Sequence, residues 1–402
     1  MKVIHFTLDA RSGAGIAARR GVEALRMAGV DADLFDAQKL GRSTRWRRWR
    51  ARLDNLPTRL YPSRRLFTSW SNGWLASGVA RRLNEFNADL VHLHWLGHGA
   101  LSWREISHIN APLMWTFHDA WAFTGGCHYP GDCRKFEADC GRCPQLGSIW
   151  SYDLSHWNLR GRQDVLSRVK RIVTPSRWLG ELACRSGRVA KETLRVVPNA
   201  LSSQLLGGEC RETIRARRGV MPVEWVFVAG SLALDEPRKG NHLLEGCLGE
   251  WRRSHPDARA RLVIFGGEAP LRLCVPGVLV EQAGFLMHES QLADLLTAAD
   301  VLLMPSLQDN LPNIALEAQA CGCAVVGFDA GGLAEIVVVG ETGSLASERT
   351  AEGLGRALAK WTAGPGRYRT VVAELCHRNA VNKFAPDKHA HALQTVYKEV
   401  MR

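Results

Sequence analysis

Val301-Leu302-Leu303-Met304-Pro305-Ser306-Leu307-Gln308-Asp309-Asn310-Leu311-Pro312-Asn313-Ile314-Ala315-Leu316-Glu317 decides the reading of the chain. Four apolar residues in a row predict a strand buried on both faces. Pro305 ends it, and Pro312 sits where a first helical turn tolerates proline. Asp309 is left on the loop and Glu317 on the helix. Two carboxylates at that spacing reach different parts of an extended ligand, and carboxylates bind vicinal hydroxyls through charge-assisted bonds. The helix start that follows Asn310-Leu311-Pro312-Asn313 suits a diphosphate, because a helix N-terminus offers N–H groups and a positive dipole end. The competing reading is a capping Asp and a solvated Glu.

Outward from this stretch, apolar runs alternate with helical patterns. A first series is Val3-Ile4-His5-Phe6, Leu90-Val91-His92-Leu93-His94, Leu113-Met114-Trp115-Thr116-Phe117, Ile172-Val173-Thr174 and Leu194-Arg195-Val196-Val197. A second is Trp225-Val226-Phe227-Val228, Leu262-Val263-Ile264-Phe265, Val278-Leu279-Val280, Val301-Leu302-Leu303-Met304 and Ala324-Val325-Val326-Gly327. Each series predicts a parallel sheet with helices on both faces, so the fold class is α/β with two doubly wound domains. The expected domains are residues 1–198 and 199–384, with the seam at Pro198-Asn199-Ala200. Residues 385–402 form a separate helix with Ala392, Val396 and Val400 on one face. Ligands of such sheets bind beyond the carboxyl ends of the strands, so a site is expected in a cleft between the two domains.

Length and charge agree with this. At 402 residues the chain is long for one core. With 46% hydrophobic and 23% charged residues it is not a disordered composition. No apolar run reaches membrane-spanning length, and residues 1–11 lack the apolar core of a signal peptide, so the expected location is the cytoplasm. A formal charge of +12 favours an anionic partner: nucleic acid, a phosphorylated metabolite or an anionic membrane. The 11 cysteines then read as buried side chains, free thiols or metal ligands, not as a disulfide framework.

Three further segments follow strands. Ser12-Gly13-Ala14-Gly15 is a glycine turn opening a helix, suited to a phosphate or sugar hydroxyl and equally to a tight connection. His118 directly follows a strand, where it serves a substrate or a nearby carbonyl. Arg238 and Lys239 follow the strand at Trp225 and suit a diphosphate.

Together these segments resemble retaining glycosyltransferases of the GT-B fold, most closely glycosyltransferase family 4. The resemblance rests on Asp309-x7-Glu317, on Glu317-Ala318-Gln319-Ala320-Cys321-Gly322, on Gly331-Gly332-Leu333-Ala334-Glu335, and on Gly340-Glu341-Thr342-Gly343. Thr174-Pro175-Ser176 and Val197-Pro198-Asn199 look like the family's interdomain signatures. The resemblance implies that residues 1–198 bind the acceptor and 199–384 a nucleotide sugar, UDP- or GDP-linked. It implies that His118 contacts the transferred sugar and that Gly13, Ala14 and Gly15 lie near the diphosphate. It implies that Lys239 binds the diphosphate, Asp309 holds sugar hydroxyls and Glu317 grips the ribose. No cofactor is required for catalysis in such a family. The acceptor would be a glycan or lipid-linked oligosaccharide in surface polysaccharide synthesis, and domain closure would accompany donor binding. Two positions depart from the pattern: Asp309 stands where Glu is commoner, and Ser231 where an arginine is common.

Two stretches stand apart. Cys127, Cys133, Cys140 and Cys143, in a loop at residues 125–147, form Cys-x5-Cys-x6-Cys-x2-Cys, whose last pair has zinc-knuckle spacing. The expectation is a structural zinc, with an iron–sulfur cluster or unligated thiols as alternatives. The loop resembles an insertion in polysaccharide-synthesis members of the family. Residues 42–52, with Arg45-Trp46-Arg47-Arg48-Trp49-Arg50, suit an anionic membrane interface, nucleic acid or a solvated basic loop, and beside a glycosyltransferase the membrane surface is the expectation. The other readings of the chain are a nucleotide-sugar epimerase, a zinc-stabilised nucleic-acid-binding protein and a non-catalytic relative. The Asp309–Glu317 pair argues against nucleic acid as a partner, since such binding needs no paired acids.

Overall fold

The computed structural model describes residues 1–39, 44–267, 270–363 and 368–402. The chain divides into two compact units, Met1–Ala200 with Pro386–Arg402, and Leu201–Ala385.

The first unit holds strands β1 (Lys2–Thr7), β2 (Asp31–Asp36), β3 (Leu90–Leu93), β4 (Leu113–Thr116), β5 (Val169–Thr174) and β6 (Leu194–Val196), in the order β2-β1-β3-β4-β5-β6. All neighbouring pairs are parallel. Alternation along each strand divides the core. Ile4, Phe6, Val91, Leu93 and Trp115 bury one face; Val3, Leu90, Met114 and Val173 bury the other. The second face is covered by the helices Gly13–Met27 and Pro386–Met401. Of the last helix, Ala390, Leu393, Val396, Tyr397 and Val400 are buried and Ala392 only partly, so its inner face is rotated from the one the spacing predicts. Glu399, on the same helix, pairs with Arg171 and Arg195 at 2.8 and 2.7 Å and ties it to β5 and β6.

The second unit holds β7 (Trp225–Gly230), β8 (Ala260–Phe265), β9 (Val278–Gly284), β10 (Val301–Met304), β11 (Ala324–Phe328) and β12 (Gly343–Ala346), all parallel, in the order β12-β11-β10-β7-β8-β9. Period-2 alternation again feeds two cores: Val226, Val228, Leu302 and Met304 on one face, Phe227, Ala229, Val301 and Leu303 on the other. Both sheets are doubly wound, as the apolar runs predict. Two strands that no apolar run predicts, β2 and β12, are edge strands in which polar or small residues interrupt the apolar ones.

Strand order fixes where a ligand site forms. β7 and β10 are neighbours, but their connections leave in opposite directions, so a crevice opens past their carboxyl ends. Gly331 packs there. It has φ +66°, and a Cβ on it would lie 1.8 Å from the carbonyl oxygen of Asp309. Replacing Gly331 by Ala is expected to destabilise the protein by about 2–5 kcal/mol, combining left-handed strain of ~1–2 with overpacking of ~1–3. Gly29→Ala, at φ +77° with open space around it, should cost only the strain. Equal shifts of the two variants in a denaturant titration would show that the contact with Asp309 does not matter.

Candidate functional site

In the second unit, a short helical turn after β7, Pro237–Lys239, meets the loop after β10. Gly240, at φ +67°, lets the chain pass close to Pro305, whose carbonyl would sit 1.9 Å from any Cβ. The backbone amide of Leu307 donates to the carbonyl of Arg238 at 2.8 Å. These contacts bring Lys239 Nζ to 2.6 Å from Asp309 Oδ2. Arg238 is buried and committed: it donates to both oxygens of Glu236 at 2.9 and 3.2 Å and to the Gln308 carbonyl at 2.8 Å, and lies 3.4 Å from Asp309. It thus pins the loop in place, and Lys239 is the cation left to present to a ligand.

Asp309 is buried. Burial opposes its ionisation, but Lys239, Arg238 and the Asn310 amide at 3.0 Å outweigh that and hold its carboxyl far below the usual range. It stays ionised. The helix Asn313–Ala320 follows, with Pro312 as its N-cap rather than inside its first turn. No acidic side chain occupies that first turn, so the positive end of the helix dipole is not neutralised from within the helix. Asn310 and Leu311 are buried on the way in, and Glu317 is buried within the helix. Arg238, Lys239, Asp309, Asn310, Leu311, Pro312, Asn313 and Glu317 therefore lie on the segments that end and follow β7 and β10. The hydroxyl of Ser231 donates to the Ala233 carbonyl at 2.9 Å and holds its own turn.

In the first unit, Ser12 caps the helix Gly13–Met27 and accepts from the Gly15 amide at 3.1 Å. Gly15 must be glycine, since a Cβ would lie 1.9 Å from the Asp9 carbonyl; Gly13 and Ala14 carry no such constraint in the turn, and around Gly13 there is space. His118 follows β4 and is half-buried. Burial lowers its pKa to about 4, Asp119 only partly opposing, so its ring is neutral. Asn199 lies buried in the segment after β6, beside Pro198, whose carbonyl is 2.6 Å from His389 Nδ1.

Sequence reasoning missed two buried arrangements. Asp119 and His128 pair at 2.7 Å, and His128 Nε2 lies 2.9 Å from Ser71 Oγ. His5, His92 and His94 cluster with ligand atoms within 4.8 Å of one another. The second carried a signal: His92 and His94 at i, i+2 share one side of the chain at β3, and His5 is in register with His92 on the neighbouring strand.

The four loop cysteines share the lining of a small cavity of about 20 Å³. Cys140 and Arg142 have positive φ, of 55° and 44°, in the tight turn that brings Cys140 and Cys143 together. Burial raises Cys140 and Cys143 to about 12 and 11, while backbone amides of Gly125 and of Leu146 and Gln145 point at their sulfurs. Those donors suit thiolates, so the donor set fits a soft cation. All eleven cysteines are unpaired with one another.

In the basic stretch, Arg42 lies outside the described residues, as do the side chains of Arg47 and Arg48. Within the helix Thr44–Asp54, Trp46 is half-buried and Arg50 turns inward, donating to the Leu75 carbonyl at 2.5 Å. Trp49 is exposed, as are Leu53, Leu56 and Leu60.

Comparison with known proteins agrees with the geometry. Residues 11–204 match a family model described as Glycosyltransferase Family 4, and residues 224–363 one described as Glycosyl transferases group 1. D-inositol 3-phosphate glycosyltransferase of Streptomyces bingchenggensis is 25% identical over 78% of this chain and 67% of its own length. The Rhodococcus jostii protein of the same name is 27% identical over 71% and 61%. The match thus spans about two thirds of these relatives. Among solved structures, sucrose-phosphate synthase of Thermosynechococcus elongatus aligns with a TM-score of 0.68 at 17% identity, covering 99% of this chain and 98% of that one. Anabaena HepE in complex with UDP aligns at 0.63 and 16%, covering 99% and 100%. With two doubly wound sheets and glycosyltransferase family models matching it in both halves, the chain has the two-domain GT-B fold and is similar to family 4 and group 1 glycosyltransferases.

Proposed function

We propose that the protein transfers a sugar from a nucleoside diphosphate donor to a hydroxyl of a glycan or lipid-linked acceptor, with the anomeric configuration retained. The observation that supports this most is Lys239 bonded to a buried, ionised Asp309 at the mouth of β7 and β10, with a helix start and Glu317 following. Breaking a sugar–diphosphate bond accumulates negative charge on the leaving phosphate. A preoriented cation and helix amides stabilise that charge without reorganising. Lys239 and the amides around Asn313 would meet the diphosphate, Glu317 the ribose hydroxyls, and Asp309 the hydroxyls of the sugar. His118, with Gly13 to Gly15, would serve the sugar and acceptor from the first unit. A uracil base is favoured because HepE was solved with UDP and with UDP-glucose.

Two accessory roles follow. Cys127, Cys133, Cys140 and Cys143 would hold a structural zinc, which cross-links the loop that follows His118 and supplies folding energy. Trp49, Leu53, Leu56 and Leu60 would dock on an anionic lipid surface: they are exposed beside exposed Arg45, Arg52 and Arg59.

In a thermal-shift screen, UDP should raise the melting temperature and GDP and ADP much less. Saturation at 100 times Kd corresponds to about 2.7 kcal/mol. Lys239→Ala should weaken UDP binding roughly 10- to 100-fold, the loss of one charge-assisted bond of ~1.5–3 kcal/mol. No response to any nucleotide, or an unaltered Kd in that variant, would sink the proposal. Metal analysis of purified protein should give about one zinc per chain, lost together with several degrees of melting temperature in Cys140→Ser/Cys143→Ser; folded, metal-free protein would remove the zinc. In flotation assays the protein should rise with vesicles rich in phosphatidylglycerol and stay behind after Trp49→Ala/Leu60→Ala. Equal flotation of wild type and variant would remove the lipid surface.

A further inference from the structure

The first unit contains a continuous hydrogen-bonded chain that ends on His118 and whose other members the activity above does not use. Thr116 Oγ1 lies 2.7 Å from His92 Nε2, and His92 Nδ1 lies 2.9 Å from the Tyr397 hydroxyl. That hydroxyl lies 3.0 Å from His5 Nε2, and His5 Nδ1 lies 2.9 Å from His94 Nε2. His94 Nδ1 lies 2.9 Å from His118 Nε2. His5, His92 and Tyr397 are fully buried, and His94 and Thr116 nearly so. His5, His92 and Thr116 project from β1, β3 and β4 to one face of the sheet, where the last helix supplies Tyr397.

Elementary proton counting gives this chain a direction. Burial first, and neighbouring histidines second, hold His92 and His94 far below the ordinary histidine range, and burial with His389 and Arg26 brings His5 to about 3. All four imidazoles are therefore neutral, and a neutral imidazole has one donor and one acceptor nitrogen. Among the described residues, the partner of the Thr116 hydroxyl is His92 Nε2. If that hydroxyl only accepted, its proton would be buried without an acceptor, at a cost of about 1–3 kcal/mol. Thr116 is thus the donor. His92 must then donate from Nδ1 to Tyr397, Tyr397 to His5 Nε2, His5 from Nδ1 to His94 Nε2, and His94 from Nδ1 to His118 Nε2. Any bond reversed within the chain would set two N–H groups against each other or leave two lone pairs facing.

We propose that this chain fixes the tautomer of His118, keeping its proton on Nδ1, so that Nδ1 acts as a donor and never as an acceptor. His5, His92, His94, Thr116 and Tyr397 are positioning residues. No net proton moves, because His92, Tyr397, His5 and His94 each give one hydrogen bond and receive one. The device suits a site that must recognise an oxygen atom, such as a sugar hydroxyl or a phosphate oxygen, without a charged group being buried. That use rests on the proposed function; the tautomer itself does not.

Long-range proton–nitrogen correlation spectra of protein labelled with 15N-histidine test the inference without any substrate. Peaks are assigned by single His→Gln variants. The expected result is a protonated Nδ1 and bare Nε2 for His5, His92, His94 and His118, against the preference of the free side chain for the other tautomer. His94→Leu, with folding checked by its melting curve, should release His118 into a mixture of both tautomers. A wild-type His118 protonated on Nε2, or an unchanged His118 pattern in folded His94→Leu, would overturn the proposal. Should that variant not fold, the wild-type spectrum alone decides. The spectrum and the UDP titration are separate readouts, so one reading can fail while the other stands.

Discussion

A carboxylate taken out of water must be met by a cation or by several N–H groups, and the second unit is organised around that requirement at Asp309. The acid follows β10 and its cation follows β7, two strands that are neighbours in space but 70 residues apart in the chain at this contact. Their bond closes only if β7 and β10 pair as neighbours in the sheet. Arg238 then clamps the Gln308 carbonyl, Gly240 and Gly331 allow backbone to approach backbone, and the helix Asn313–Ala320 starts at the point so defined. The site is thus a product of strand order more than of any local motif.

The same constraint sorts what is legible in the amino-acid sequence from what is not. Asp309, Glu317 and the glycines around Gly331 are local: strand, turn and helix are read within one window. Both parallel sheets are legible because a strand covered on its two faces must be apolar at every position, and unbroken runs such as Val301 to Met304 meet that demand. Strands β2 and β12 are not, because Asp31, Asp33 and Asp36 in one and Gly343 and Ser344 in the other break any apolar run. Arg238 reads as a phosphate ligand because a sequence shows charge but not direction. Its guanidinium turns back onto Glu236, and the turn geometry set by Gly240 decides that. Arg50 is a similar case: it reads as part of a basic face, yet it is spent on a backbone carbonyl.

The histidines show the other limit. Val3-Ile4-His5-Phe6 and Leu90-Val91-His92-Leu93-His94 read as apolar strands with polar interruptions. Their meaning emerges only when β1 and β3 pair in register and a tyrosine 392 residues from His5 reaches both rings. A buried polar group in a strand costs stability unless it is satisfied. His5, His92 and Thr116 on adjoining strands, with His94 just past β3, are tolerable because they hydrogen-bond in one chain with Tyr397. The same logic governs the cysteine loop, where amides converge on sulfur across a turn that two non-glycine residues enter with positive φ.

The unit formed by Met1–Ala200 is not closed by its own contiguous chain, since Pro386–Arg402 supplies one layer of its core. During synthesis, Leu201–Ala385 emerges as an uninterrupted stretch, whereas the first unit needs segments from both ends of the chain. Its core therefore closes only after residues 386–402 have been made. The earlier-made unit waits, with the face that Leu393, Val396 and Tyr397 will cover still wet, until residues 386–402 arrive. Premature termination before Tyr397 would leave a sound second unit joined to an unfinished first.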